Sequence, residues 1–289
     1  MSDLERWWAD GDRVELELLG VERSIFTRRL GGGPSMTLLH GFPSSSHDWA
    51  KVAPALARER SLLLCDFLGF GASDKPADHD YSLLEQADLI EALWARERVA
   101  STTIAAHDYG VSVAQELLAR EAEGKLAVEL RAVHFLNGGI YPDLHRPQPT
   151  QLALLDPSHG PQVSALINEE LFVQALRPSF AESYDAAADS ADIWAATHRG
   201  AGERIGHRLI GYITDRKQNE ARWVGALEGA RVPLAFTWGM LDPIPGAHIA
   251  QRIAQRLPGA PLLALGDVSH WPPLEAPRAV ERAVLDRDD

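Results

Sequence analysis

The segment Ala106-His107-Asp108-Tyr109-Gly110 joins two stretches of different periodicity. Residues 101–105 (S-T-T-I-A) form a short β-branched run, and residues 111–120 (V-S-V-A-Q-E-L-L-A-R) place apolar side chains at helical spacing. Strand and helix must therefore meet in a sharp turn. Small residues, Ala106 and Gly110, stand two positions to either side of Asp108, where larger ones would strike the crossing backbone. A turn of this kind raises its central side chain at the carboxyl edge of a sheet. A carboxylate in that position is a nucleophile that makes a covalent ester.

The rest of the chain supplies the sheet. Residues 14–18 and 24–27 read as a two-stranded start, followed by the turn Gly31-Gly32-Gly33-Pro34. That glycine run does not join a strand to a helix in the form a phosphate loop needs. Strands are expected at 36–39, 62–65, 102–106 and 132–136, with helices at 49–57 and 83–98. Such alternation makes an α/β chain with a mostly parallel sheet covered on both faces. From about 141 to 223 no strand pattern is visible. Helical spacing shows at 163–176 and 204–212, which reads as a lid of roughly 80 residues on the pattern alone. Strands return at 233–238 and 261–265, with helices at 248–256 and 278–286.

At 289 residues the chain can bury a substantial core, and its 45% hydrophobic and 24% charged content is ordinary for a globular protein. A net charge of −13 argues against nucleic acid and anionic membranes as partners. The single cysteine, Cys65, permits no internal disulfide and no thiolate metal site, and lies in an apolar run as a buried small hydrophobe. The charged N-terminus lacks the apolar stretch of a secretory signal, and no run is long enough to span a membrane. A cytoplasmic enzyme acting on a small apolar molecule is the expectation. Nothing in the sequence specifies an oligomeric state.

An aspartate nucleophile needs oxyanion donors, a base for water, and a group that orients the base. His270, in the loop after the last strand (D-V-S-H-W-P), is the candidate base. Asp242, after the preceding strand (W-G-M-L-D-P), is the candidate orienting acid, with Asp267 its nearest competitor and a plain turn before Pro243 the other reading. The order nucleophile, acid, histidine matches the hydrolase pattern. The backbone N–H groups of Tyr109 and of Phe42, in His40-Gly41-Phe42-Pro43, are the candidate oxyanion hole. No metal or organic cofactor is needed by this set.

H-G-F-P, D-F-L-G-F-G-A-S-D-K-P (66–76) and H-D-Y-G together resemble the α/β-hydrolase superfamily, in its epoxide hydrolase and haloalkane dehalogenase branch. Within it, N-G-G-I-Y-P-D-L-H-R-P (137–147) and Y-I-T-D-R-K-Q-N-E-A-R-W-V-G-A-L (212–227) resemble the mesoderm-specific transcript proteins. The resemblance implies a mostly parallel eight-stranded sheet with a helical cap after the sixth strand. The division is a first core part at 1–140, the cap at 141–226 and a second core part at 227–289.

The resemblance also ranks the chemistries. Dehalogenases place a Trp after the nucleophile, with a second Trp in the lid or an Asn after the His-Gly pair. Here Tyr109 and Phe42 stand instead, and Trp194 in the lid is the one remaining indole candidate. Fluoroacetate dehalogenases carry an Arg after the nucleophile. Epoxide hydrolases use lid tyrosines as proton donors, and Tyr212 resembles one of them, the other reading being a ring packed on the core. Tyr184 and Tyr141 are further candidates for substrate contact. Epoxide hydrolysis to a diol is thus expected, ahead of carbon–halogen hydrolysis, a cofactor-independent luciferase-like oxygenase, or a non-catalytic protein of the same fold.

Overall fold

The computed structural model describes residues 1–200 and 202–285. Its strands are β1 (Asp12–Leu18), β2 (Val21–Gly31), β3 (Ser35–Leu39), β4 (Ser61–Cys65), β5 (Ser101–His107), β6 (Glu129–Leu136), β7 (Leu234–Gly239) and β8 (Leu262–Leu265). They form one sheet in the order β1-β2-β4-β3-β5-β6-β7-β8. β1 and β2 make an antiparallel hairpin and β2 runs antiparallel to β4, while every pairing from β4 to β8 is parallel.

The apolar runs explain why the parallel strands lie in the middle. Successive side chains point to opposite faces, so Leu62 and Leu64 enter one buried cluster while Leu63 and Cys65 enter the other. Leu38 and Leu39 divide in the same way. A strand apolar on both faces needs helices on both. Leu83–Glu97 and Tyr109–Ala122 cover the face that holds Leu39 and Phe135, and Pro277–Leu285 packs on the other through Val280 and Val284. At the hairpin the pattern changes: Val14, Leu16 and Leu18 are buried while the residues between them face solvent.

Three helices expected from periodicity are divided. Residues 49–57 give a 3₁₀ turn, Ser46–Trp49, and a separate short helix, Ala53–Leu56, whose first turn contains Pro54. The stretch 163–176 breaks into Gly160–Leu166 and Glu169–Leu176. There Asn168 leaves the helical path and its side chain accepts from the Leu171 N–H as an N-cap. Residues 204–212 divide at Gly211, so Tyr212 opens a new helix, Tyr212–Gln218.

Between β6 and β7 the described residues contain helices and no strand. The carboxyl ends of β3, β5, β6 and β7 therefore meet this helical segment at one edge of the sheet. No helix among the described residues is long and apolar enough to cross a membrane.

Candidate active site

At the end of β5, Asp108 has φ 44° and ψ −100°, a conformation that costs an L-residue about 1–3 kcal/mol and persists only where the surroundings enforce it. Two bonds do so. The Asp108 N–H donates to the Asn137 carbonyl at 3.1 Å, and the Gly110 N–H donates to the His40 carbonyl at 3.0 Å. A Cβ on Gly110 would lie 2.6 Å from the Leu39 Cβ, so only glycine lets the elbow helix approach β3 this closely. Tyr109 opens that helix, and its N–H therefore has no intrahelical acceptor.

The carboxylate is held asymmetrically. The Phe42 N–H donates to Asp108 Oδ2 at 2.9 Å, while Oδ1 lies 3.9 Å from His270 Nε2 and 3.8 Å from Arg216 Nη2. Phe42 is placed by His40, whose Nδ1 bonds the Gly41 carbonyl at 2.8 Å and whose Nε2 accepts from the Phe67 N–H at 3.0 Å. Those partners assign the His40 proton to Nδ1, and burial keeps the ring neutral. Burial also works against ionising Asp108, but His270, Arg216, His107 and the Phe42 N–H outweigh it and hold its pKa below the usual carboxylate range.

His270 Nδ1 donates to Asp242 Oδ2 at 2.7 Å. Asp242 is fixed in turn by Asn137 Nδ2 at 2.8 Å on the same oxygen and by the Ile244 N–H at 2.8 Å on Oδ1. The His270 backbone is tied on both sides, its N–H to the Ser179 carbonyl at 2.9 Å and its carbonyl to His107 Nε2 at 2.8 Å. Nε2 is thereby aimed at Asp108. Burial disfavours the imidazolium, yet Asp242 and Asp108 together raise the pKa of His270 to about 9.

The β6–β7 segment closes the site. Asp108, His270, Tyr212, Arg216, His145 and Gln151 all line one cavity of about 450 Å³ with mostly apolar walls. Tyr212 is buried, with its ring 5.4 Å from Phe42 and 5.5 Å from Tyr109. Its hydroxyl accepts from Gln151 Nε2 at 3.0 Å, and burial and then the Asp108 charge push its pKa up. Arg216, one helical turn on, stacks its guanidinium 4.5 Å over the Tyr212 ring. It donates to the Asp108 carbonyl at 2.9 Å and to Ser112 Oγ at 2.6 Å.

A strained aspartate at a strand–helix elbow thus faces a histidine, with a second aspartate behind it, on the following loops of the same sheet edge. Residues 34–277 match the model of the alpha/beta hydrolase fold. The chain belongs to the α/β-hydrolase fold family. The LipZ protein of Mycobacterium tuberculosis is 36% identical over 282 residues, covering 97% of this chain and 96% of its own. The human mesoderm-specific transcript homolog protein is 38% identical over 291 residues, covering 98% and 87%. Among solved structures, the haloalkane dehalogenase DbeA from Bradyrhizobium elkani superposes with a TM-score of 0.79 at 22% identity, covering 96% of this chain and 98% of its own.

In this α/β-hydrolase, Asp108, Asp242, His270, Tyr212 and the Phe42 N–H converge as their motifs suggested, whereas three other candidates lie elsewhere. Tyr184 is stacked on Phe180 and its hydroxyl is engaged by Asp189 and Lys51, outside the cavity wall. Tyr141 is buried under Arg252, beside Glu228 and Arg256, and does not line the cavity. Trp194 packs its ring on Phe172 and His198 within the helical segment and does not line the cavity. Asp267 is exposed.

Sequence reasoning missed Arg216, Gln151, Asn137 and His145. A signal existed for Arg216, since an arginine at i+4 from Tyr212 shares its helix face. Asn137 opens one of the two motifs at the edges of the helical segment, but its two-sided bonding depends on β6 and β7 being neighbours. The motif 66–76 is structural by contrast. Asp66 accepts from the Ser46 and Ala72 N–H groups at 2.8 and 2.7 Å, and a Cβ on Gly71 would strike its carboxylate.

Proposed function

We propose that the chain hydrolyses epoxides to diols through an ester on Asp108, with the helical β6–β7 segment acting as the cap over the site. The supporting observation is the Tyr212 hydroxyl. It accepts a hydrogen bond from Gln151, so its own O–H remains to donate, and its raised pKa keeps that proton in place until an alkoxide develops.

The first half-reaction follows from the asymmetry of Asp108. Oδ2 stays on the Phe42 N–H while Oδ1 attacks an epoxide carbon. The carbon–oxygen bond breaks with its electron pair on oxygen, and Tyr212 delivers a proton there. Arg216, which faces Oδ1, moves from stabilising the carboxylate to stabilising the oxygen that receives its charge. In the second half, His270 Nε2 takes a proton from water as the water oxygen attacks the ester carbonyl. The Phe42 and Tyr109 N–H groups receive the oxyanion, and Asp242 holds the imidazolium. The intermediate then collapses, breaking the bond from the carbonyl carbon to the diol oxygen, which takes the imidazolium proton, and the carboxyl proton left on Asp108 returns through solvent to the Tyr212 phenolate. The apolar wall suits a small apolar epoxide.

A second reading, hydrolysis of a carbon–halogen bond, is favoured by Arg216, whose N–H groups could donate to a departing halide. Against it, the Phe42 side chain offers no donor and the Tyr109 ring packs among Phe67 and Phe70 in the core.

A panel of terminal and aryl epoxides, assayed for diol, tests the proposal. Wild type should form diol, Tyr212→Phe should lose about 10²–10⁴-fold in rate, and His270→Ala should stop at a protein heavier by one epoxide. Halide release from alkyl halides assayed beside the epoxides, with no diol from the epoxides, would install the second reading.

A further inference from the structure

We propose that Glu275 is a positioning residue for the second half-reaction. Its carboxylate grips the backbone on both sides of His270 together with the β6–β7 segment that crosses it, and so sets where Nε2 stands relative to the Asp108 ester. This rests on the reading of His270 as the base that activates water against that ester. The loop's own sequence explains why a side chain is needed there. In Ser269-His270-Trp271-Pro272-Pro273-Leu274-Glu275 the two prolines carry no N–H, and the short helix they open, Pro272–Glu275, has no side-chain cap from Trp271. Glu275 reaches back instead. Its N–H donates to the Trp271 carbonyl at 2.8 Å, and its Oε1 accepts from the Trp271 N–H at 3.0 Å. Oε2 accepts from the Ser269 N–H at 3.2 Å.

The segment between β6 and β7 meets this loop through three successive residues. The Ser179 carbonyl takes the His270 N–H at 2.9 Å, and Ser179 Oγ accepts from Trp271 Nε1 at 2.8 Å. The Phe180 ring stacks on Trp271 at 5.5 Å and 16°. The Ala181 N–H donates to the same Glu275 Oε2 at 2.9 Å. Every backbone donor from Ser269 to Trp271 is thereby engaged, two of them on Glu275, and one anion ties the base loop to the segment above. Hydrogen bonds to an ionised carboxylate are about twice as strong as neutral ones, which suits this group to an anchor.

Asp242 and Glu275 then do different things to one histidine. The 2.7 Å bond to Asp242 fixes how the ring is turned, while the loop fixes where the ring starts. Nε2 stands 3.9 Å from Asp108 Oδ1, and the attacking water must meet both Nε2 and the ester carbon. A misplacement of about 1 Å costs on the order of 10²-fold in rate. Tyr212 and Arg216, which act in the first half-reaction, are held by Gln151, by Ser112 and by the Asp108 carbonyl instead. A fault at Glu275 should therefore reach ester cleavage and spare ester formation.

The test separates the two half-reactions by intact-protein mass spectrometry on quenched samples, using the epoxide panel. Glu275→Gln keeps the size of the side chain but puts N–H groups where one oxygen accepted. On the His270→Ala background it should leave the rate of adduct formation unchanged. With His270 present it should slow adduct hydrolysis by about 10- to 100-fold, so that the adduct accumulates during turnover, and Glu275→Ala should slow it further. Hydrolysis at the wild-type rate in Glu275→Gln, or an equal loss in both half-reactions, would overturn the proposal. The proton NMR signal of His270 Nδ1–H in its bond to Asp242 needs no substrate and should shift in Glu275→Gln. A His270→Ala protein that no epoxide labels would overturn the epoxide reading, and this signal would then decide for Glu275: left unmoved, it overturns the role. Melting temperatures show that each rate belongs to a folded protein, and where Glu275→Ala melts early, Glu275→Gln decides alone.

Discussion

Removing the Asp108 charge should change the protonation of His270 by a predictable amount. The imidazole Nε2 stands 3.9 Å from Asp108 Oδ1. Two unit charges at that separation attract by about 4 kcal/mol at an effective dielectric near 20, and by about half that where water screens them better. At 1.36 kcal/mol per pKa unit, Asp108→Ala should lower the His270 pKa from about 9 to near 7 or below. The Asp242 bond, unaffected by the substitution, keeps it from falling further. The assay is a proton NMR titration of the His270 Cε1–H in both proteins. The same change would occur in the proposed reaction, because esterification abolishes the Asp108 charge. His270 would then enter the first half-reaction protonated and become a competent base once the ester exists. An Asp108→Ala protein in which His270 still titrates near 9 would refute this coupling, and Asp242 alone would have to account for the raised value.

Other consequences can be measured separately. Gly139→Ala places a Cβ 2.7 Å from Arg216 Nη1 and should displace the guanidinium, slowing adduct formation on the His270→Ala background about tenfold or more while circular dichroism stays that of the parent. Arg216→Gln removes one of the cations that hold the Asp108 pKa down, so the acid limb of the kcat/KM profile should move to higher pH. Wild-type stability should fall between pH 6.5 and 9, since a histidine whose folded pKa is raised contributes fully below its unfolded value and loses that contribution through the folded one. The full amount is about 3 kcal/mol, and urea midpoints at the two pH values should show the loss in wild type and a smaller one in Asp108→Ala.

The sheet and its edge were legible because the relevant signals are local. Asp108, His270 and Asp242 each follow a strand, β5, β8 and β7 in turn, and the fold brings the ends of those strands together. The helical segment was less readable. Its helices are cut by capping at Asn168 and by the turn at Gly211, which override a continuous apolar period. The tyrosines show the same limit. The family resemblance set Tyr212 apart, but packing is what sends it to the cavity and Tyr184 and Tyr141 to Asp189 and Arg252. Arg216 and His145 were hidden for a related reason, since a charged or polar residue in a helical stretch reads as surface until its burial is known.

Asn137 gives the architecture a functional division. Its carbonyl receives the elbow N–H, while its side chain donates to Asp242 and to the Gly239 carbonyl and accepts from the Gly239 N–H. One residue at the end of β6 thus surveys both the attacking and the orienting carboxylates, so their spacing is a property of the sheet. Tyr212, Arg216, Gln151 and His145 are suspended from the segment that follows. Under the proposed mechanism, the groups that break the substrate bond sit on the helical segment and those that cleave the ester on the sheet edge, so substitutions in the segment can change what is opened while the spacing of the two carboxylates is kept.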